Sequence, residues 1–417
     1  MVDTVHDGHD GKAPSAGEPG GGLSRPPAAP SRRRLFAMAA GGIATVAVGA
    51  VVAGDVYASG RGVFASGAGP AYELWQQWDQ SPMPLRLVVA AILAANAHNA
   101  QAWRFAVTPR SIDVYDDVSR SLGAVDTYRR EIHLSAGCAI ENITLAAGAA
   151  GFVPVVALRP PGDPTLLARV DLIPGSSRPS PLYRAIPLRH TDRGAYQTGR
   201  DLPADILVAM DALVDQPDIR VRWLVTPAQR AAFSAMTVAA TRDFIADAQQ
   251  ASDDYAWYRA TSAQIQAHRD GVSIDAGGLS PVLRSLGKLL PATVSSTNSY
   301  WLSGTRDRQL PTASGFAIVV VRDAADIVQR LNAGRLYQRL HLWATTRGLA
   351  MQPLNQVVER AERERSTTGA GAISRGLAGL VGGPDWQPVM LFRIGYSTVV
   401  APPSPRRDIG DVVVGTP

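Results

Sequence analysis

The chain has 417 residues, 46% of them apolar and 18% charged, which is enough apolar surface for a large core and more than one structural unit and excludes a disordered chain. Its net charge of +5 comes almost wholly from arginine, with lysine only at Lys12 and Lys288, and the arginines are scattered rather than striped, which argues against a nucleic-acid partner. A single cysteine, Cys138, excludes an internal disulfide framework and falls in an apolar helical pattern, where a small core residue is expected.

Residues 1–30 have no apolar period and are predicted to be a disordered tail; His6 and His9, with no cysteine nearby, are a weak basis for a metal site. Ser31-Arg32-Arg33-Arg34-Leu35-Phe36 then precedes an uncharged Ala/Gly/Val-rich run from Ala37 to Gly54. Basic residues ahead of an apolar stretch mark an export signal, and this one resembles the twin-arginine consensus. The run is close to the ~20 residues that span a bilayer. Val56-Tyr57-Ala58 is a poor cleavage site, so residues 31–58 are read as a hydrophobic helix that anchors the chain to the membrane if uncleaved. Arginines on the cytoplasmic side would leave the folded body outside.

After an aromatic, Pro-containing stretch from Ala71 to Pro84, a predicted helix beginning at Leu85 delivers Asn96, His98, Asn99 and Gln101, whose side chains carry both donors and acceptors and can read a flat heteroaromatic ring. On spacing alone, a helix C-cap followed by Trp103 and Phe105 as core residues explains the stretch equally well. Two strand-like runs, Arg104 to Thr108 and Ser111 to Tyr115, are split by Pro109-Arg110 as in a hairpin. A long Ala-rich helix from Leu134 to Phe152 follows and ends at Gly151. Its Leu134, Ala136, Gly137, Leu145, Ala147 and Gly151 return as Leu331, Ala333, Gly334, Leu342, Ala344 and Gly348, each 197 residues later. Each copy is preceded by a β-rich run, Ser111 to Tyr115 in one and Phe316 to Val321 in the other, so a duplicated unit is the economical reading.

His98-Asn99-x-Gln101-x-Trp103-x-Phe105 after an Ala/Leu-rich helix resembles the signature of the FMN-dependent nitroreductase family, whose loop usually reads Pro-Ser-x-x-Asn-x-Gln-Pro-Trp; here Ala95-Asn96 replaces Pro-Ser and Ala102 replaces the Pro. The resemblance implies that His98, Asn99 and Gln101 hold the flavin's pyrimidine edge, with the phosphate held by the other subunit. Leu188-Arg189-His190-Thr191-Asp192-Arg193 resembles the family's Arg-x-Ser-x-Arg start, in which guanidinium groups flanking a hydroxyl clamp phosphate. Taken without its position, this pentad reads as a solvated charge run. The first half has the Asn-x-Gln loop without the arginine motif, and the second has the reverse, so one composite FMN site per chain is expected.

Arg347-Gly348-Leu349 through Gln352-Pro353-Leu354-Asn355-Gln356 is similar to the family segment whose backbone lies near flavin N5, although Asn355-Gln356 stands where an acid and a glycine are usual. Pro405-Arg406-Arg407, after a strand from Pro388 to Tyr396, resembles the terminal basic pair of the phosphate site. Together these motifs look most like the Acg-type subfamily. The resemblance implies an α+β, nitroreductase-like α-β-α sandwich in two tandem halves, residues 71–185 and 186–417, forming an intrachain pseudo-dimer and a monomer, with an insertion from 244 to 311 as a lid. The implied cofactor-binding set is His98, Asn99, Gln101, Arg189, His190, Thr191, Arg193, Gln352, Pro353, Leu354, Asn355, Arg406 and Arg407. The implied activity passes hydride from NAD(P)H to FMN and on to a nitroaromatic, quinone or similar small aromatic electron acceptor, the flavin carrying the chemistry without a catalytic side chain. A non-catalytic flavin-storage protein is the alternative. Serine-hydrolase elbows, zinc spacings and phosphate-binding P-loops are missing from the sequence. Gly369 to Gly376 is read as a mobile loop.

Overall fold

The computed structural model describes residues 62–290 and 292–415. The predicted tail and the twin-arginine-like segment with its apolar run lie outside the described residues; among the described residues no helix is long and apolar enough to cross a membrane.

After a short helical turn at Glu73–Gln76, the first unit contains α1 (Leu85–Ile92), buried from Leu87 onward. The hairpin β1 (Trp103–Val107) and β2 (Ser111–Asp116) turns at Pro109-Arg110, where Thr108 Oγ1 accepts from Arg110 N at 3.2 Å and Ser111 N at 2.9 Å. Helix α2 (Arg130–Ala149) begins four residues before the predicted Leu134. The reason is Asp126, whose carboxylate accepts from Glu131 N at 3.0 Å and Ile132 N at 3.1 Å and so satisfies the first-turn amides. Strands β3 (Phe152–Leu158) and β4 (Leu166–Pro174) complete the unit.

The second unit contains α3 (Ala204–Asp211), β5 (Ile219–Leu224), α4 (Pro227–Ala246), α5 (Ala248–Ala256), β6 (Tyr258–Arg259), α6 (Ser262–His268), β7 (Val272–Ser273), α7 (Pro281–Leu289) and α8 (Val294–Gly304). It continues with β8 (Gly315–Val321), α9 (Ile327–Thr346), β9 (Leu349–Pro353), α10 (Gln356–Thr367), α11 (Ala372–Val381) and β10 (Gln387–Tyr396), and the last element among the described residues is β11 (Val413–Val414). The run read as a mobile loop is partly wrong: Ile373, Leu377 and Val381 repeat at helical spacing and are buried, so α11 forms from Ala372.

The two main sheets are ordered β11-β1-β2-β4-β3 and β5-β8-β10-β9. Apart from β11, the order is the same, and in both sheets every corresponding pair is antiparallel. Strand β11 is the exception, pairing in parallel with β1 through Phe105 and Val413, so the chain's end returns to the first sheet. Helix α2 packs on the first sheet, α9 on the second, and the two helices on each other, with one apolar core running through all four layers.

That helix pair is held at close range by two glycines. A Cβ on Gly137 would lie 2.1 Å from Leu331 O, and one on Gly334 would lie 2.1 Å from Leu134 O. The two contacts are reciprocal at the 197-residue offset of the repeat. Gly151 and Gly348, also at that offset, both follow a helix C-cap with positive φ, 88° and 68°, the left-handed conformation that ends a helix.

Candidate functional site

The loop after α1 meets the N-terminal part of α2. Ala95 N donates to Gln338 Oε1 of α9 at 3.1 Å and Ala97 N to Ser135 Oγ of α2 at 2.9 Å, so both central helices pin it. His98, Asn99 and Gln101 take positive φ of 50°, 51° and 50°. Left-handed backbone costs a non-glycine residue about 1–3 kcal/mol and gathers at functional sites. Here Asn96 supports it, with its Oδ1 accepting from Gln101 N at 2.9 Å.

Two adjoining recesses open beside this loop, one of about 250 Å³ and one of about 30 Å³. Ala95, Asn96, Thr191, Arg193 and Val272 line both. The smaller also takes in Asn99, Arg189, Ser404 and Arg406. Arg189 and Arg406 are 2% and 3% exposed, and their side-chain donors go to Leu93 O, Ala94 O, Pro405 O and the Asn99 amide, none of them a carboxylate. Arg189 Nε and Nη1 and Arg406 Nε are buried with no partner. Both guanidinium groups lie over Trp75, 6.0 and 4.8 Å from its ring centroid. Burial pulls the pKa of Arg189 and Arg193 below the usual arginine value and that of Arg406 well below it, Arg189 adding like-charge repulsion to the last. Arginine stays protonated in proteins, so buried guanidinium groups without carboxylates leave a recess suited to an anion.

The larger recess lies between the end of β9, the loop at Asn96 to His98, the first turns of α2, and a cover built from α5, β6 and α8. Gln352, Pro353, Leu354 and Asn355 form one wall. Glu131, Leu134 and Ser135 of α2 form another, with Glu359 of α10 beside them, and Asp254, Tyr258, Tyr300 and Trp301 belong to the cover. The cover is fastened by His98 Nε2 to Asp254 Oδ1 at 2.7 Å and by Ala124 N donating to Asp253 Oδ2 at 2.7 Å. Burial opposes charge on His98, but the hydrogen bond and charge of Asp254 outweigh it and raise its pKa above the usual histidine value.

Of the residues singled out from sequence, His98, Thr191, Arg193, Gln352, Pro353, Leu354 and Asn355 line the larger recess, and Asn99, Arg189, Thr191, Arg193 and Arg406 the smaller. Gln101, His190 and Arg407 line neither. Gln101 Oε1 accepts from Arg407 N at 2.9 Å and its Nε2 donates to Arg269 O at 2.9 Å, so this pair fastens the C-terminal segment to the loop. His190 packs edge-on against Trp75 with centroids 4.5 Å apart, and its pKa is pushed down to about 3 by burial and by Arg189 and Arg406. The Gln352 amide is turned to Arg393, its Oε1 accepting from Nε at 2.6 Å. Asn96, read from sequence with His98, Asn99 and Gln101 as part of a ring-reading cluster, lines both recesses, whereas Glu131, Asp254 and Glu359 were not singled out as site residues. A charged residue in helical phase with buried positions, as Glu131 is with Leu134 and Ser135, was the available signal.

No family model matches the chain. It is 27% identical over 337 residues, 78% of its own length and 90% of the relative's, to proteins provisionally named NAD(P)H nitroreductase in Mycobacterium tuberculosis strains CDC 1551 and H37Rv. Among solved structures, an FMN-dependent nitroreductase from Mycobacterium smegmatis in complex with NADPH aligns with TM-score 0.35 and 16% identity, over 55% of this chain and 96% of that one. A nitroreductase with bound FMN from Desulfitobacterium hafniense aligns with TM-score 0.34 and 14% identity, over 57% and 98%. The likeness to the curated relatives over nine-tenths of their length supports a place for this chain in the nitroreductase family.

Proposed function

We propose that the chain is an NAD(P)H-dependent oxidoreductase of the nitroreductase type that binds one FMN. The observation that carries this reading is the smaller recess, where buried N–H groups of Arg189 and Arg406 lack partners and Arg193 and Thr191 sit on the border with the larger recess. Its donor set suits a terminal phosphate, and the adjoining recess has the stretch Gln352 to Asn355 on one side and the aromatic residues Tyr258, Tyr300 and Trp301 on another, which suits a planar ring system. The relatives named as NAD(P)H nitroreductases supply the reaction class.

FMN held there supplies hydride acceptance and donation. The chain's own residues bind and orient it. Arg189, Arg193 and Arg406 hold the phosphate through charge-assisted bonds with Thr191 as a hydroxyl partner, and Asn99 fixes the Arg406 fork. Asn96 and His98 on one side and the stretch 352–355 on the other position the ring. The cover keeps water out while His98 and Asp254 stay joined. At about 250 Å³ the larger recess lies near the small end of ligand sites, about 300–1,000 Å³, so a second substrate reaches the ring by displacing the cover. A nitroaromatic or quinone is the acceptor class we assign.

We also read the chain as two fused nitroreductase-like halves, residues 71–185 and 186–417, of the Acg type, making an intrachain pseudo-dimer that needs no second copy. The shared strand order, the reciprocal glycine contacts and the paired helix-ending glycines support that reading. Export by the twin-arginine route, with anchoring through residues 31–58, is the localisation we propose.

An anaerobic absorption spectrum of the purified protein with and without NADPH tests the function. A flavin band that bleaches promptly is expected. A band that persists with NADPH but bleaches with dithionite would replace the reductase by the storage protein, and no band after incubation with FMN would refute flavin binding.

A further inference from the structure

We propose that Trp75 is a positioning residue of the recess assigned to phosphate: its indole ring, in place of a carboxylate, gathers Arg189 and Arg406 and leaves their charge free for the anion. The inference rests on the FMN reading above and adds a residue to it.

Trp75 belongs to the aromatic stretch from Ala71 to Pro84, to which neither the motifs nor the repeat give a role. The chain is tied down just ahead of it. Ala71 O accepts from Arg406 N at 2.7 Å, while Gln266 of α6 accepts from Ala71 N through Oε1 at 2.9 Å and donates from Nε2 to Ala68 O at 2.9 Å. The single helical turn Glu73–Gln76 then places Trp75 inside, only 7% exposed. Its indole N–H donates to Ser404 O at 2.7 Å, and Ser404 lines the smaller recess. That bond sets the orientation of the ring.

Both arginine motifs reach this ring. Arg406 Cζ lies 4.8 Å and Arg189 Cζ 6.0 Å from its centroid, and His190 packs edge-on at 4.5 Å. Within about 6 Å a guanidinium is attracted to the negative face of an aromatic ring, and indole is the strongest of these. The two arginines also donate to consecutive carbonyls, Arg189 Nη2 to Leu93 O at 3.1 Å and Arg406 Nη2 to Ala94 O at 3.3 Å. Two like charges are thus held close together, and no Asp or Glu is among the residues that line the smaller recess.

A carboxylate could hold the pair, but it would neutralise the charge and take up the N–H groups that a phosphate needs. Indole attracts the charge through its face and its nitrogen accepts no hydrogen bond. Nε and Nη1 of Arg189 and Nε of Arg406 accordingly stay without partners. Trp75 lines neither recess, so it acts through the arginines. Without the ring the guanidinium groups separate in the empty protein, and binding has to bring them back together. A desolvated cation–π contact corresponds to about 30-fold in affinity.

The test titrates the parent, Trp75→Leu and Trp75→Phe, each stripped of flavin, with FMN and with riboflavin. Leucine has no ring face; phenylalanine keeps a face and loses the N–H. Trp75→Leu should bind FMN at least about 10-fold more weakly and riboflavin within about threefold of the parent. Trp75→Phe should return FMN affinity to within about threefold of the parent. Parent-like FMN affinity in Trp75→Leu, an equal loss of both flavins, or a Phe variant no better than the Leu variant would overturn the proposal. Should Trp75→Leu fail to fold, inorganic phosphate decides, because a ring backing the two arginines must sense their neutralisation. Phosphate should change the indole emission of the stripped parent and leave that of Trp75→Phe unchanged; no change in the parent, or the same change in both, would overturn the proposal. A parent that binds FMN no more tightly than riboflavin removes the phosphate reading, and the role of Trp75 with it. A parent that prefers FMN, with Trp75→Leu keeping that preference, removes the role of Trp75 alone.

Discussion

Arg189→Met removes a buried charge at little cost in volume. Two Arg189 nitrogens, Nε and Nη1, are buried without partners, and Arg189 lines the recess assigned to phosphate. A hydrogen bond to a charged group is worth about 1.5–3 kcal/mol, so two at the lower end come to about 3 kcal/mol, or about 150-fold in Kd. Riboflavin has the same ring and no phosphate, so its affinity should be the same in variant and parent. The flavin-free protein should lose no stability, because a buried guanidinium with no carboxylate partner is replaced by an apolar side chain of similar size. Fluorescence titration with FMN and riboflavin, beside thermal melts of the flavin-free protein, reads all three quantities. FMN affinity within about threefold of the parent, or an equal loss of riboflavin, would refute the phosphate assignment.

Gly334→Ala places a methyl 2.1 Å from Leu134 O in the α2–α9 contact, and a loss of about 3 kcal/mol or more in chemical denaturation is expected. An effect under about 1 kcal/mol would mean that the helices are not held at this distance. Asp254→Asn should lower the His98 titration seen by NMR, because the carboxylate that raises it is gone, and should speed flavin release; an unmoved His98 would refute the latch. Stability should peak near pH ~6.5. On the acid side, His133 and His190, both pushed down to about 3, and His341, also depressed, are neutral when folded and charge on unfolding, so stability falls as pH drops below the ordinary histidine value. On the alkaline side Asp126, raised to about 7, and Glu359 hold protons that the unfolded chain has released, and that contribution is lost as pH rises through their folded values. A melting temperature that climbs steadily to pH 9 would contradict this assignment.

The sequence by itself determined much of the local structure and the residue types at the site. Apolar runs gave α1, the hairpin and both copies of the repeated helix, since helix and strand periods are properties of a dozen neighbouring residues. The repeat at 197 residues relates α2 to α9, and its Gly137 and Gly334 lie in the contact between them. The motifs drew Arg189, Thr191, Arg193 and Arg406 out of a chain full of arginine. Tertiary structure decided what those residues do with their hydrogen bonds. Gln101 and Arg407 bind each other and leave the recess, because the C-terminal segment returns to β1 through a two-residue strand too short to have a sequence pattern. Glu131 and Glu359 are 228 residues apart and line one recess only where two helix N-termini converge. How a buried acid ionises depends on distance, burial and surrounding charge, and none of the three exists until the chain has folded.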